Sequence, residues 1–303
     1  MKRLIAIGEC MIEMSGAGDD LWRLGIAGDT LNTAWYARAA LSPDHWNVAY
    51  GTVIGADSFS ARVPTFLTEN GIEVDRIDEH PQRSIGLYAI SLKDGERSFS
   101  YWRDTSAAKT LADDSAALAA MTDRVDAVHI SGITLAILPP EGRARLIHRL
   151  AELRAKGVTT VLDPNIRPRL WEDATTAART ITAAARACDI VLPSFDDEAA
   201  CFGDTAPEVT LERYASLGAT TVIVKNGGGA IHLLANGNRL VVDGLAQVSP
   251  IDTTGAGDSF NGAFLAAVLQ GQSVLAAVHA GHAMASRVVQ HRGALIPMRD
   301  LRV

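Results

Sequence analysis

Apolar residues in this chain gather in short runs: LIAIG (4–8), VAYGTVIG (48–55), AVHISGI (127–133), TTVLDP (159–164), DIVLPS (189–194) and TTVIVKNG (220–227). Runs of this length and composition read as buried strands. Between most of them the period changes. In EGRARLIHRLAELRAKG (141–157), Leu146, Leu150 and Leu153 fall four and three apart, on one face of a helix. Strand alternating with helix predicts an α/β fold with a mainly parallel sheet covered on both faces, and ligands at the carboxyl ends of its strands.

One stretch departs from this rhythm. SIGLYAISLKDGERSFSYWRD (84–104) alternates on both sides of Asp94-Gly95, which predicts a hairpin turning at that pair. The alternation puts Phe99, Tyr101 and Arg103 on one face and Ser100, Trp102 and Asp104 on the other. A two-stranded ribbon is marginal by itself. It is expected to join strands near MIEMSG and WRLGIAG in a small β lid made from about 10–30 and 84–104. No repeat or low-complexity linker divides the chain, so residues 1–303 are expected to form a single domain.

Composition then removes several functions. With 48% hydrophobic and 21% charged residues in 303, the chain can bury one large core. Its net charge of −7, without a basic run, argues against nucleic acid or an anionic membrane surface as partner. No run reaches the roughly 18 apolar residues of a membrane span, and MKRLIAIGEC reads as a first strand rather than a signal peptide, so the expected location is cytoplasmic. Cys10, Cys188 and Cys201 lack CxxC spacing and read as packing residues of a reducing compartment. His279 and His282 sit at i and i+3 without a third ligand, which favours packing or a base contact over a metal. No G-x-S-x-G marks a serine hydrolase.

The densest candidate chemistry is in DTTGAGDSFNGAF (252–264). Phe260, Ala263, Phe264, Ala267 and Val268 trace the stripe of a buried helix that starts near Gly257. First-turn N–H groups lack helical acceptors and carry the positive end of the helix dipole, so they attract an anion. Gly255 and Gly257 let the loop turn its amides inward. Asp258 in such a site repels phosphate unless it has a task, and accepting the proton of an attacking hydroxyl is one. The same residues would also make a plain helix cap. Walker A and GxGxxG sequences are missing, so the loop alone does not decide.

Together with AGDTLNTA (27–34), the loop resembles the two signatures of the ribokinase-like (PfkB) carbohydrate kinases. The resemblance extends along essentially the whole chain. It implies a three-layer α/β/α core with a mainly parallel central sheet plus a small β lid. Carried over position by position, it makes Gly28, Asp29 and Asn32 sugar contacts, Gly255, Ala256 and Gly257 the anion hole, and Asp258 the catalytic base. AGDTLNTAWYAR, GERSFSYWRDTSAAK, SGITLAIL, DPNIRPRLW and HRGALIP are similar, within that family, to the bacterial 2-keto-3-deoxygluconate kinases. The implied reaction is ATP-dependent phosphorylation of the 6-hydroxyl of that sugar acid. Its carboxylate suits an arginine fork. By resemblance Tyr88, Tyr101, Arg103 and Arg167 approach it, with Arg167 also able to reach the transferring phosphate.

For ATP, the resemblance points to Asn165, Ser194, Lys225, Gly227, Gly228, Gly229, Gly255, Gly257, His282 and Ser286. Mg2+ should accompany ATP while keeping most of its waters, and no direct metal ligand is assigned. Relatives carry an N-x-x-E element where this chain has PSFDDE, with Ser194 and Asp197 at the two positions. A monovalent cation requirement stays open. Phe99, Tyr101 and Trp102 suggest a lid edge that pairs with a second copy of the chain. The competing functions are another sugar kinase of the family, such as a fructokinase, and a catalytically silent sugar-binding sensor.

Overall fold

The computed structural model describes residues 1–18, 21–93 and 96–301. In chain order its strands are β1 (Lys2–Ile7), β2 (Met11–Gly18), β3 (Leu21–Ala27), β4 (Trp46–Gly55), β5 (Ile77–His80), β6 (Gly86–Lys93), β7 (Glu96–Trp102), β8 (Ala127–Ser131), β9 (Thr159–Asp163), β10 (Ile190–Val191), β11 (Thr221–Val224), β12 (Ile231–Ala235) and β13 (Asn238–Val242). The main sheet runs β13-β12-β11-β10-β9-β8-β1-β4-β5. It is parallel from β11 to β5 and ends in the antiparallel pairs β11–β12 and β12–β13.

Period-two alternation divides the core. Ile5, Ile7, Val128, Ile130 and Leu162 face a helical layer that includes Leu146, Leu150 and Leu153. Their strand neighbours Leu4 and Ala6 face the other way, as do Val161 and Ile223, onto the second layer. The expected three-layer α/β/α core is therefore present. DIVLPS gives only a two-residue strand, because after Val191 the chain turns into the helix Phe195–Phe202. The β12–β13 hairpin was not anticipated. Its turn is Asn236-Gly237, both at positive φ, the pair best suited to such a turn.

A second, four-stranded sheet has the order β3-β2-β6-β7 and is mixed, β2 and β6 being parallel. The Asp94-Gly95 turn lies outside the described residues, but Lys93 pairs with Glu96 on either side of it. All four strands join the main body at one place: β2 follows Glu9 and Cys10, β3 leads into Gly28, β6 starts at Gly86, and β7 ends before Arg103. No helix of the described residues is long and apolar enough to cross a membrane.

Two helices set the position of the signature segments. The early helix, Asp29–Ala40, and the late helix, Ala256–Leu269, lie against each other in one layer. Their approach is close because Gly262 has no side chain: a Cβ there would lie 2.6 Å from Thr33 O and 2.7 Å from Tyr36 Cβ. Gly262→Ala should therefore push the helices apart and cost about 1–3 kcal/mol by overpacking, read from urea unfolding. Unchanged stability would mean that the crossing is looser than the structure shows.

Candidate active site

The carboxyl ends of β1, β9, β10 and β11 deliver polar residues to one edge of the main sheet, where the late helix begins. Gly255 is the N-cap of that helix, at φ 77° and ψ 5°. A side chain is disfavoured there twice, by the left-handed backbone and because a Cβ would lie 2.9 Å from Ala294 O. Asp252 braces the loop: its Oδ1 accepts from Thr254 N (3.1 Å) and Thr254 Oγ1 (2.8 Å), and its Oδ2 from Gly293 N (2.6 Å). The amide of Ala256 donates to Thr253 O at 3.2 Å. That one is taken. The amides of Gly257 and Asp258 belong to the first helical turn, which has no acceptors inside the helix.

Asp258 sits at the mouth of this turn. Its Oδ2 accepts from Asn32 Nδ2 at 2.8 Å, and its backbone carbonyl accepts from Thr33 Oγ1 at 3.4 Å. The two signatures thus meet directly. Burial pushes the Asp258 carboxyl up to about 8, the charge of Asp29 adds to the rise, and Asn32 opposes it. Asp29 is also raised by burial. Its oxygens accept from Thr30 N (2.9 Å) and Asn165 Nδ2 (2.8 Å). Asn165 holds a positive φ of 32°, fixed by its amide on Asp163 Oδ1 (3.1 Å).

Beneath the loop lies a buried polar cluster that the sequence only half revealed. Lys225 Nζ reaches Asp163 Oδ2 (3.3 Å) and Asn261 Oδ1 (3.0 Å), and Asn261 Nδ2 donates to the same Asp163 oxygen at 2.6 Å. Lys225 Nζ is 3.6 Å from where a Cβ on Gly257 would be, so this cation lies close beneath the first turn of the late helix. Asp163 and Asn261 were not singled out from sequence. Asp163 ends a strand run and Asn261 opens the late helix, but nothing local says that they meet.

Arg167 donates from Nη1 to both oxygens of Asp197, at 3.1 and 2.9 Å. Burial would lower the arginine's affinity for its proton, but Asp197, with Asp163 and Asp29 adding to it, raises it on balance. Ser194 bridges to Lys225 across the strand ends. In the glycine turn, Gly227 has positive φ, Gly228 O accepts from Gln247 Nε2 (2.6 Å), and Gly229 N donates to Asn226 O (2.7 Å). His282 Nε2 lies 2.9 Å from Ala246 O and 3.3 Å from Ser286 Oγ, whereas His279 is exposed.

On the small sheet, Glu13, Tyr88 and Tyr101 form one cross-strand row. Tyr88 donates its hydroxyl to Glu13 Oε2, an acid that sequence reasoning passed over. The Tyr88 ring is 5.8 Å from that of Tyr101 and 6.3 Å from that of Phe99. Burial raises the Tyr88 phenol, and the charges of Glu13 and Asp258 add to the effect. Tyr88 is thus near enough to Asp258 to feel its charge. Arg103 follows β7 and pairs with the buried Glu9.

The model of the pfkB family carbohydrate kinases matches residues 1–301. The chain is 37% identical to the 2-dehydro-3-deoxygluconokinase of Dickeya dadantii, covering 99% of this chain and 98% of that one. It is 38% identical to the enzyme of the same name from Haemophilus influenzae, covering 98% and 96%. The structure of a putative ribokinase II from E. coli in complex with ATP and Mg2+ superimposes with a TM-score of 0.83 at 20% identity, over 99% of this chain and 98% of that one. Whole-length agreement in sequence and fold, with both signatures meeting at Asp258, places this chain in the pfkB family of carbohydrate kinases.

Proposed function

We propose that this enzyme transfers the γ-phosphoryl group of ATP to the 6-hydroxyl of 2-keto-3-deoxygluconate, the sugar acid also called 2-dehydro-3-deoxygluconate in the relatives' names. Asp258 is the observation that carries the reading. Burial makes its charge costly, yet it is kept beside the free-amide end of a helix and aimed by Asn32 from the other signature.

In this reading the sugar acid lies between the small sheet, acting as a lid, and the strand ends. Gly28 lets the backbone come close, Asp29 and Asn32 hold hydroxyls, and Tyr88 and Tyr101 close over the chain of the sugar. Arg103 and Arg167 take its carboxylate. ATP lies along Asn165, Ser194, Lys225, the Gly227–Gly229 turn, His282 and Ser286. Asp258 accepts the 6-hydroxyl proton while the oxygen bonds to the γ-phosphorus in line, and the bond to the bridging oxygen breaks to release ADP. The amides of Gly255, Gly257 and Asp258, with Lys225 beneath them, hold the charge that develops. Arg167 adds its own from the side.

Among the described residues no three His, Cys, Asp or Glu side chains cluster to hold an ion by themselves, which suits Mg2+ carried on phosphates and waters. Asp163 and the partly exposed Asp197 would take its water ligands, and the bound ion would neutralise phosphate oxygens. The free thiols of Cys10, Cys188 and Cys201 suit a reducing cytoplasm. Trp22 and Trp102 are 43% and 61% exposed. Strand register puts them on the face of the small sheet opposite Tyr88 and Tyr101, and there a second copy would dock. Sedimentation should show a dimer or larger that Trp102→Glu dissociates; a monomeric unaltered protein would exclude the pairing.

Asp258→Asn should lower kcat by on the order of 10²–10⁴ with the sugar-acid KM largely kept, in a coupled ADP-release assay that also includes fructose and ribose. An acid with a raised folded-state pKa loses stability as pH rises from its unfolded value through its folded one, so the variant should melt no lower than the unaltered protein at pH 8. Full activity would refute the base. A preference for fructose would refute the substrate.

Because the base must be ionised, kcat/KM should fall as pH drops through a limb near 8, far above the usual aspartate range. Lys225→Met, which removes a nearby cation, should move that limb higher. A limb at ordinary carboxylate values, unmoved by Lys225→Met, would show that Asp258 does not govern the rate.

A further inference from the structure

Glu9 is the most enclosed acid at the point where the small sheet joins the main one. It is 2% exposed, and no step described so far uses it. Its Oε2 accepts from Arg103 Nη2. Two glycines make room for it: a Cβ on Gly28 would lie 2.3 Å from Glu9 O, and one on Gly86 would lie 2.8 Å from Glu9 Oε1 and 3.4 Å from Arg103 Cβ. Glu9 thus precedes β2 and lies against the residues where the other three strands meet the main body: Gly28 after β3, Gly86 at the start of β6 and Arg103 after β7.

The two side chains cannot part cheaply. Burial raises the Glu9 carboxyl, and Arg103 and the nearby Ser106 hydroxyl pull it back, so an Arg103 that swung away would leave a buried acid with that hydroxyl alone, which costs far more than the pair itself contributes. Arg103 must then meet its ligand from where Glu9 holds it. Glu9 engages the Nη2 corner of the guanidinium, and the neighbouring atoms Arg103 Nε and Glu9 Oε1 are both buried and without a partner. These are the two halves of a side-on fork that a small rotation closes. Five N–H donors on a rigid plane allow two such forks. With the side-on edge given to Glu9, the end-on edge is left for a second carboxylate. Arg103 continues the alternation of Phe99 and Tyr101, whose rings stack on each other and pack tilted against Tyr88.

We propose that Glu9 is a positioning residue for substrate recognition: it fixes Arg103 at the root of the small sheet so that the free edge of the guanidinium receives the carboxylate of the sugar acid. This rests on the substrate reading above. A neutral or misplaced Glu9 should weaken sugar-acid binding specifically. ATP, held at the far strand ends, should be unaffected.

The test is steady-state kinetics of Glu9→Gln, Arg103→Ala, the double variant and Gly86→Ala, each with 2-keto-3-deoxygluconate and ATP varied in turn. Glu9→Gln should raise the sugar-acid KM by about tenfold or more, the worth of one charge-assisted contact, leaving the ATP KM within about twofold. Added to Arg103→Ala it should change the sugar-acid KM no further, because partners acting through one contact are not additive. Gly86→Ala, which displaces Glu9 without discharging it, should show the same confined rise, and it decides the matter if Glu9→Gln does not fold. An unchanged sugar-acid KM, equal losses toward ATP, or losses that add in the double variant would overturn the role of Glu9. Unaltered enzyme inactive on the sugar acid would overturn the substrate reading and this role together; active unaltered enzyme beside an indifferent Glu9→Gln overturns the role alone.

Discussion

Asn32 and Asp258 are 226 residues apart in the chain and 2.8 Å apart in the fold, and the crossing of the early and late helices makes that contact. Gly262 allows the crossing, since any side chain there would meet Thr33 and Tyr36. Through it one helix brings Asp29 and Asn32, the other its glycine-rich first turn and the carboxylate of Asp258. The sheet places both helix starts at the carboxyl ends of its strands, where a parallel α/β sheet opens.

The site is expensive for the fold. Asp29, Asp163 and Asp258 converge on one edge with Lys225 as the buried cation among them, and burial raises both Asp29 and Asp258. Asparagines do much of the holding: Asn165 on Asp29, Asn261 on Asp163, Asn32 on Asp258. An amide can fix a carboxylate without an ion pair, as at Asp29 and Asp258, whereas Asp163 also has Lys225. Structural acids elsewhere are treated differently. Glu198 is buried with one oxygen, Oε2, accepting from both Arg213 and Tyr214.

Local pattern disclosed much of this. The central strands were legible as apolar runs, the late helix by its stripe, and the small sheet by alternation around Asp94-Gly95. Asp258 was legible only through the pairing of its glycine loop with AGDTLNTA, since the loop alone would serve equally as a helix cap. What stayed hidden is long-range. Glu9, Glu13, Asp163 and Asn261 read as ordinary polar residues until the fold brings them to Arg103, Tyr88 and Lys225. The β12–β13 hairpin carried its Asn236-Gly237 signal openly, but the preceding glycines drew the reading toward a nucleotide loop. Nor could sequence show that the Ala256 amide is spent on Thr253.

The account is tested most directly by a crystal structure with 2-keto-3-deoxygluconate and a non-hydrolysable ATP analogue. It predicts the 6-hydroxyl oxygen within about 3 Å of an Asp258 oxygen, with the γ-phosphate against the amides of Gly257 and Asp258. A ternary complex with the hydroxyl turned away from Asp258, or the γ-phosphate seated on other donors, would contradict it.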